Sequence, residues 1–397
     1  MNEPKLRFKA DDGSQFPDWN EKTFNDVADY KKGPFGSALK KEIFVPKSND
    51  TVKVYEQQNA ISKDWKLERY FVTNEYFQSK MKSFAVSGGD IIVSCAGTIG
   101  EMYELPHDAE EGIINQALMR VRIKKSVINS MIFRCVFDKM ISTEGVKISN
   151  GSALKNIPPF ADMKKQSVFV PSLPEQQKIA EFLSTIDTVI EKQKETVSAW
   201  EERKKGVMQK LFSQEVRFKA DDGNDFPEWE EKNVEDVCSV STGKGNTQDK
   251  VDTGAYRFYV RSPIVEHSDS YLFDEEAVIT VGDGVGTGKV FHYVKGKYNL
   301  HQRCYRMYDF RDVTGKYFYY FFSTNFYRRV KSMSAKTSVD SVRMEMITKM
   351  KILVPCLAEQ QKIADCLSSL DEVIEKKKAT LAAWEELKKG LLQQMFV

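Results

Sequence analysis

Residues 170–212, "VPSLPEQQKIAEFLSTIDTVIEKQKETVSAWEERKKGVMQKLF", form a segment that the chain contains twice. It returns 184 positions later, at residues 354–396, as "VPCLAEQQKIADCLSSLDEVIEKKKATLAAWEELKKGLLQQMF". Near its start each copy has Pro or Ala followed by Glu-Gln-Gln, which is typical of a first helical turn, and no proline follows. The sequence therefore predicts two long helices of related sequence.

Apolar residues in both copies alternate at spacings of four and three, the a/d pattern of a coiled coil. The seam residues are Ile179, Leu183, Ile186, Ile190, Val197, Trp200, Val207 and Leu211 in the first copy, and Ile363, Leu367, Leu370, Ile374, Leu381, Trp384, Leu391 and Met395 in the second. We expect the two seams to bury each other as antiparallel helices, each roughly 57 Å long for about 38 residues. The alternative is that each seam docks on the domain that precedes it.

Polar residues interrupt the seam at Gln193 and Lys204 and at their counterparts Lys377 and Lys388. Polar groups are costly in a two-helix core unless they fix the register or reach a further partner. Two interpretations remain open at this point. The residues either set the register and extend toward solvent, or they meet additional helices from another protein.

A second repeat marks the start of each half. "LRFKADDGSQFPDW" at residues 6–19 returns as "VRFKADDGNDFPEW" at residues 216–229. The sequence thus predicts an α+β fold with a pseudo-two-fold internal repeat: mixed α/β domains at 1–169 and 214–353, held apart by long helices at 170–213 and 354–397. Because the opening is shared, we expect it to be part of the frame and to tolerate substitution better than the loops that follow.

Composition places few limits on function but excludes several classes. The net charge is only +2, so overall charge does not indicate a nucleic-acid binder. There is no apolar run of membrane-spanning length and no leader sequence, so a cytoplasmic location is expected. The six cysteines have no metal or disulfide spacing and are predicted to be reduced thiols, and the four histidines form no metal site or catalytic triad.

The two variable domains share a weak sequence pattern. Short apolar strands run into glycine-rich turns at residues 88–100 and 275–288, and Gln116 and Arg120 then stand at points that match Gln302 and Arg306. The second turn is not a P-loop, because the required glycine and Ser/Thr are absent around Gly288. Its backbone N–H groups could meet a DNA phosphate, but a plain hairpin fits equally well.

Polar loops in both domains have the composition of DNA contacts. They combine Lys or Arg with Ser and Gly, which suit phosphate, and with Asn, Gln and Arg, which can read base edges. These loops are residues 31–41, 55–60, 146–155, 241–250, 256–262 and 334–343. Any solvated loop can have this composition, so the argument depends on finding such loops in both domains.

Two variable domains, each preceded by a W-x-E-K opening and followed by "P-x-x-EQQKIA" and a seam helix ending in "W-E-E-x-K-K-G", resemble the specificity subunit of Type I restriction-modification systems. The resemblance covers the whole chain in order. It implies a non-catalytic protein whose domains each read half of a split double-stranded DNA site. It also implies docking of adenine methyltransferase subunits and of an ATP-dependent restriction and translocase subunit. S-adenosylmethionine, ATP and Mg²⁺ are then expected on those partners, with no cofactor in this chain.

Transferring the resemblance to the loops gives candidate DNA contacts in both domains. They are Ser37, Lys40, Gln57, Gln58, Asn59, Ser152 and Lys155 in the first domain, and Lys244, Asn246, Thr247, Tyr259, Arg261, Ser262, Lys336 and Ser338 in the second. The competing hypothesis is an interaction scaffold whose two domains bind protein, supported by the near-neutral charge.

Overall fold

A computed structural model describes residues 4–148, 160–284, 286–333 and 341–396, with only the backbone for 143–148. The chain divides into two compact units, Met1–Glu191 with Ala383–Val397 (unit 1) and Lys192–Ala382 (unit 2). Both long helices contribute residues to both units. No helix in the described part of the chain is long and apolar enough to cross a membrane.

Among the described residues up to Glu191, unit 1 has short strands and six α-helices, the last of which continues into unit 2. Its strands are β1 (Asn20–Thr23), β2 (Ala28–Lys32), β3 (Thr51–Tyr55), β4 (Tyr70–Thr73), β5 (Ala85–Val86), β6 (Ile91–Ser94), β7 (Met102–Glu104), β8 (Gly112–Ile114), β9 (Leu118–Ile123) and β10 (Ser167–Val170). Its helices are α1 (Phe24–Val27), α2 (Gln57–Ser62), α3 (Asn74–Tyr76), α4 (Ser130–Ile148), α5 (Phe160–Lys165) and α6 (Leu173–Phe212).

The strands of unit 1 form two four-stranded sheets, in the orders β2-β9-β6-β7 and β4-β3-β8-β5, and a separate β1-β10 ladder. All pairs are antiparallel except β3 with β8, which is parallel. The side of the first sheet that faces α4 carries buried Tyr30, Val93 and Val121, and these pack with Phe133 and Phe137 of the helix. Burial of this apolar face is what holds the sheet against the helix.

Unit 2 has longer strands and one continuous sheet. Its strands are β11 (Glu230–Asn233), β12 (Ser239–Thr242), β13 (Tyr256–Tyr259), β14 (Val265–Ser268), β15 (Phe273–Val281), β16 (Phe291–Leu300), β17 (Cys304–Tyr308) and β18 (Lys351–Val354). Its helices are α7 (Val234–Val237), α8 (Gly315–Met333), α9 (Met344–Thr348) and α10 (Leu357–Met395), the last of which ends in unit 1.

The sheet of unit 2 has the order β12-β17-β15-β16-β13-β14, and β11 pairs with β18 outside it. Its single parallel pair, β13 with β16, corresponds to β3 with β8 in unit 1. Unit 1 has two sheets because the equivalent of β15 is interrupted between Val86 and Ile91, where Gly89 has φ +86°, a conformation that interrupts a strand. Both units therefore follow one strand plan.

The repeated opening is tied to the start of each long helix by a buried carboxylate. Glu175 is fully buried and accepts hydrogen bonds from Arg7 (2.9 and 3.1 Å) and from the Trp19 indole (3.2 Å). In unit 2, Glu359 accepts the same bonds from Arg217 (2.9 and 3.1 Å) and from the Trp229 indole at 2.9 Å. The first Glu of Glu-Gln-Gln is thus a structural anchor for the opening segment.

The first Gln of the same motif closes the entry to the next helix. The Gln176 side chain accepts from Asn129 N at 2.7 Å and donates to Val127 O at 2.9 Å, just before α4. Gln360 makes the equivalent bonds to Thr314 N at 2.8 Å and Asp312 O at 2.9 Å, just before α8. Both glutamines are buried, and each satisfies backbone groups that would otherwise lack partners.

The predicted helices are confirmed over 40 and 39 residues, and all sixteen predicted seam residues are buried or half-buried. The seams pack in two ways: against the cores of the units, as in the alternative interpretation, and against each other, as in the first. At the helix ends, Ile179 and Leu183 join Met395 in the core of unit 1, while Leu211 joins Ile363 in the core of unit 2. Between those ends, ion pairs join the two helices, Lys204 with Asp371 and Lys388 with Asp187.

Candidate nucleic-acid interface

Four turns of unit 2 meet at one end of its sheet. They are residues 243–250, 260–262, 282–284 and 301–303, called here loop cluster 2. Backbone hydrogen bonds join them: Gln302 N donates to Gly245 O (2.9 Å), and Gly282 N donates to Arg303 O (2.8 Å). His301 N donates to the carbonyl of Tyr259, the last residue of β13, at 3.0 Å. The sheet therefore holds side chains from four separate segments in one place.

Unit 1 builds the same arrangement, loop cluster 1, from residues 33–40, 56–58, 95–98 and 115–117. Asn115 N donates to Tyr55 O at 3.0 Å, and Cys95 N donates to Ala117 O at 2.8 Å. These bonds occupy the places of His301–Tyr259 and Gly282–Arg303. Tyr55 therefore matches Tyr259, and Cys95 matches Gly282. Two positions after the first match, Gln57 is equivalent to Arg261; one position after the second, Ala96 is equivalent to Asp283.

One glycine in each cluster allows this close approach. A Cβ atom on Gly33 would lie 1.9 Å from Asn115 O, and one on Gly243 would lie 2.2 Å from Leu300 O. No side chain fits in either place, so the turn after β2 and the turn after β12 both require glycine.

In loop cluster 1 the predicted contacts differ sharply in exposure. Ser37, Lys40 and Gln58 are exposed, and Gln57 is half-buried with its amide nitrogen donating to the carbonyls of Ala96 and Thr98. Asn59 is only 2% exposed.

The side chain of Asn59 is fully engaged inside the protein. Its oxygen accepts from Glu56 N at 2.8 Å, and its nitrogen donates to Asp64 O at 3.0 Å and Leu67 O at 2.9 Å. It caps α2 and closes the turn that follows. Asn59 is therefore a structural residue here, and the expectation that it touches DNA is not supported by its position.

In loop cluster 2, Lys244, Thr247 and Arg261 are exposed, while Asn246 and Ser262 are half-buried. Asn246 accepts a hydrogen bond from Gln302, Nε2 to Oδ1, at 2.9 Å.

Tyr259 is the second predicted contact that the structure places in the interior, since it is only 2% exposed. Its ring packs against Tyr298 in the sheet core, with centroids 5.9 Å apart. Tyr259 is the last residue of β13 and packs within the sheet, whereas Arg261 comes after the strand has ended and is exposed in the following turn. The predicted contacts Ser152, Lys155, Lys336 and Ser338 lie outside the described residues.

The matched arginines that follow each cluster are part of the sheet. Arg306 is buried, pairs with Glu275 and lies between the rings of Phe273 and Tyr308, with its guanidinium carbon 4.0 and 3.7 Å from their centroids. Arg120 donates to the carbonyl of Ala85. Neither is placed to meet an outside ligand.

Several exposed residues of the clusters were missed among the predicted contacts. Phe35, at the tip of loop cluster 1, is 89% exposed. Gln116 and Gln302 are exposed at equivalent places, and their matching positions in sequence were the available signal. Arg303 and Asp283 are also in loop cluster 2, but only the folded chain brings them beside Arg261.

The electrostatics of loop cluster 2 centre on one carboxylate. Asp283 lies 3.2 Å from the Arg261 guanidinium and 3.7 Å from that of Arg303. His301 is buried next to them, and burial, aided by the nearby arginines, lowers the pKa of His301 below its ordinary value. The imidazole is therefore neutral near pH 7, and the positive charge of the cluster comes from Lys244 and the arginines.

Both halves of the chain match the model of one known family. The family model described as Type I restriction modification DNA specificity domain matches residues 17–198 and 227–383. This chain belongs to that family. The prediction of a Type I specificity protein with two domains on long antiparallel helices is thereby confirmed, as is the prediction that its role is specificity and not catalysis.

Relatives of this family in two organisms match over different lengths. The Type I restriction enzyme MjaVIII specificity subunit of Methanocaldococcus jannaschii is 21% identical over 377 residues, which cover 84% of this chain and 87% of the relative. The EcoDI specificity subunit of Escherichia coli is 25% identical over 166 residues, 42% of this chain and 36% of the relative.

Solved structures of the family share the fold. The crystal structure of a Type I restriction-modification S subunit from M. genitalium superposes with a TM-score of 0.56 at 15% identity and covers 100% of this chain and 99% of its own. A chain from a study of complex assembly and conformational transition in the Type I system superposes at 0.53 with 14% identity, covering 96% and 98%.

The six cysteines of this specificity protein are free thiols. Among the described residues, no group of three or more His, Cys, Asp or Glu could hold a metal ion.

Proposed function

We propose that this specificity protein reads a bipartite double-stranded DNA target, with one half-site for each unit. The observation that supports this most is that the same cluster of four turns is built twice on one frame, from different side chains. Gln57 and Ala96 in unit 1 stand where unit 2 has Arg261 and Asp283. A duplicated frame with different contents suits the recognition of two unlike sequences by one geometry.

The chemistry of the clusters suits DNA better than protein. Lys40 and Lys244 are exposed and have the charge that suits phosphates, while Gln57, Gln116, Arg261 and Gln302 have side chains that can make hydrogen bonds to base edges. Phe35 adds one apolar group of the kind that contacts thymine methyl groups.

We further propose that the long helices set the distance between the half-sites and dock adenine methyltransferase subunits, with an ATP-dependent restriction subunit joining for cleavage. Exposed positions of the long helices support the docking. Many of them carry the same residue in both copies, although an exposed side chain is not constrained by packing in a core. They include Gln177 and Gln361, Glu191 and Glu375, Lys192 and Lys376, Glu202 and Glu386, and Lys205 and Lys389. Two equal surfaces suit two copies of one partner. S-adenosylmethionine, ATP and Mg²⁺ would then be bound by the partners.

Mapping methylated adenines across the genome, in cells with and without this gene, tests the proposal. We expect one split motif to lose methylation when the gene is deleted. A gel shift of the complex with its methyltransferase partner on DNA that contains this motif gives the direct measurement. A scaffold that binds only protein would leave the methylation pattern unchanged and would give no sequence-specific band.

A further inference from the structure

Asp283 is an unexpected residue in a surface that is to meet DNA. It lies inside loop cluster 2, where a carboxylate repels phosphates, and its side chain is 23% exposed. Two exposed cations converge on it from different segments: Arg261 from the turn after β13, and Arg303 from the turn before β17. The three groups together carry one net positive charge.

The backbone around this trio is fixed on every side. Gly282 N donates to Arg303 O at 2.8 Å, and Val342 N donates to Gly282 O at 2.7 Å. Arg303 N donates to the His301 ring nitrogen Nδ1 at 3.0 Å. The backbone on which Asp283 stands is therefore held, and its carboxylate meets both arginines from this fixed point of the chain.

The two arginines use the carboxylate differently. Arg261 Nη1 lies 3.2 Å from Asp283 Oδ1 and donates a hydrogen bond to it, whereas Arg303 Nη1 lies 3.7 Å from Oδ2, beyond hydrogen-bonding distance. A guanidinium has five N–H donors in a planar fork, so Arg261 keeps donors for a base after binding Asp283.

We propose that Arg261 reads a guanine in the half-site of unit 2 and that Asp283 is the positioning residue that orients it. Arginine donates to guanine O6 and N7 as a bidentate pair in the major groove, which requires the fork to lie at a set angle. Asp283 restricts that angle and opposes the attraction of Arg261 to any nearby phosphate. Arg303 offsets the remaining charge of the carboxylate. This inference rests on the proposed function.

Unit 1 provides a contrast at the same position. Gln57 replaces Arg261, and the carbonyls of Ala96 and Thr98 replace the Asp283 carboxylate as the acceptors that hold it. A carbonyl suffices for a neutral amide, whereas a guanidinium calls for a charged acceptor. The acceptor in each unit thus matches the charge of the side chain that it holds: neutral carbonyls for Gln57 and a carboxylate for Arg261.

The test uses the full chain in complex with its methyltransferase partner and the target found by methylation mapping. Each guanine of the unit 2 half-site is replaced singly by 7-deazaguanine, which lacks N7, or by inosine, which keeps N7 and O6. For the wild-type protein we expect one guanine at which 7-deazaguanine weakens binding about tenfold and inosine changes it less than about twofold. For Arg261→Ala and Asp283→Ala that penalty should fall below about threefold.

The affinity for unrelated DNA supplies a second readout. If Asp283 only stabilised the fold, its removal would not raise this affinity. Asp283→Ala removes a charge that repels phosphate, so its affinity for unrelated DNA should rise a few-fold while discrimination falls. Asp283→Asn keeps an acceptor for Arg261 and should fall between wild type and Asp283→Ala. Asp274→Ala, an exposed carboxylate on β15 outside the cluster, is the control for charge alone.

The outcomes separate this inference from the proposed function. A wild-type complex with a sequence preference, but with no guanine sensitive to 7-deazaguanine or with that sensitivity unchanged in Asp283→Ala, overturns only the role of Asp283. A wild-type complex without any sequence preference overturns both. A melting temperature equal to that of wild type for Asp283→Asn confirms that the effect on binding is not a loss of folding.

Discussion

Lys204 on α6 and Asp371 on α10 form an ion pair with Nζ and Oδ1 2.5 Å apart. Lys388 and Asp187 form a second pair at 2.5 Å with the helices exchanged. Adding 184 to 204 gives 388, and adding 184 to 187 gives 371, so the pairs are equivalent under the internal repeat. Two of the three seam lysines, Lys204 and Lys388, thus bind the opposite helix, which supports the register interpretation for these two.

Replacement of Lys204 by Ala should lower the free energy of unfolding by about 1 kcal/mol, because the pair is partly exposed and is screened by solvent. Asp371 also accepts from the Tyr320 hydroxyl at 2.7 Å, so a double-mutant cycle with Asp371→Asn isolates the pair. Urea unfolding measures both. Lys205→Ala, one position along and exposed, should cost less than about 0.5 kcal/mol. Equal effects at 204 and 205 would rule out a register role.

Arg217→Ala should destabilise unit 2 by about 3 kcal/mol, because it removes the cation that pairs with the fully buried Glu359 and leaves the neutral Trp229 indole as a donor to that carboxylate. Arg7→Ala should do the same in unit 1 through Glu175. Hydrogen exchange resolved by unit would locate each effect. Lys219→Ala, in the same opening but on an exposed pair, should have little effect. Tolerance of Arg217→Ala would instead support the expectation that the opening tolerates substitution better than the loops that follow it.

Acid should weaken unit 2 through His292. Burial lowers the pKa of His292 below its ordinary value of 6.5, because the imidazolium would lose its water, and Nε2 has no hydrogen-bond partner among the described residues. The unfolded chain therefore binds the proton more readily, and stability should be full above about pH 6.5 and decline as the pH falls below it. His292→Phe should flatten this decline in thermal melts between pH 8 and pH 5. A slope unchanged from wild type would show that other groups cause it.

Phe35→Ser should weaken binding to the half-site of unit 1 several-fold without lowering the melting temperature, since the ring is 89% exposed and leaves no cavity. Fluorescence anisotropy with the complex and its target DNA measures the binding. Ile264→Ser, at an exposed apolar residue of unit 2, is the matched control and should leave the half-site of unit 1 unaffected. Unchanged affinity for Phe35→Ser would remove this residue from the interface.

Insertion of seven residues into both long helices, after Ile190 and after Ile374, should lengthen the unread gap of the target. Seven residues keep the seam in phase and add about 10.5 Å, or roughly three base pairs. Methylation mapping reads the new gap. The same insertion in α6 alone shifts one helix against the other and should break the Lys204–Asp371 pair. A gap that stays constant with both insertions would exclude the helices as the spacer.

The sequence predicted the repeat, the two long helices and their seam because those features are periodic or duplicated and depend on residues close along the chain. It also indicated polar loops in both domains, and their contact with DNA stays a prediction. The sequence could not predict the role of Glu175. A glutamate in the first turn of a helix gives no sign that it binds Arg7, because the two residues are 168 positions apart and meet only in the folded chain. The domain boundaries at 169, 213 and 353 stay predictions, because the two compact units divide within the long helices.

Within the candidate site, composition indicated segments that the fold brings into the two loop clusters, while the fold decided which of their residues are exposed. Asn59 and Tyr259 have side chains suited to DNA, yet one caps a helix and the other fills a sheet core. By itself the sequence determined the frame, because a repeated seam must bury its apolar face. Only the tertiary structure decided that Asp283 stands between Arg261 and Arg303, since charge pairing across three turns depends on where the sheet brings them together.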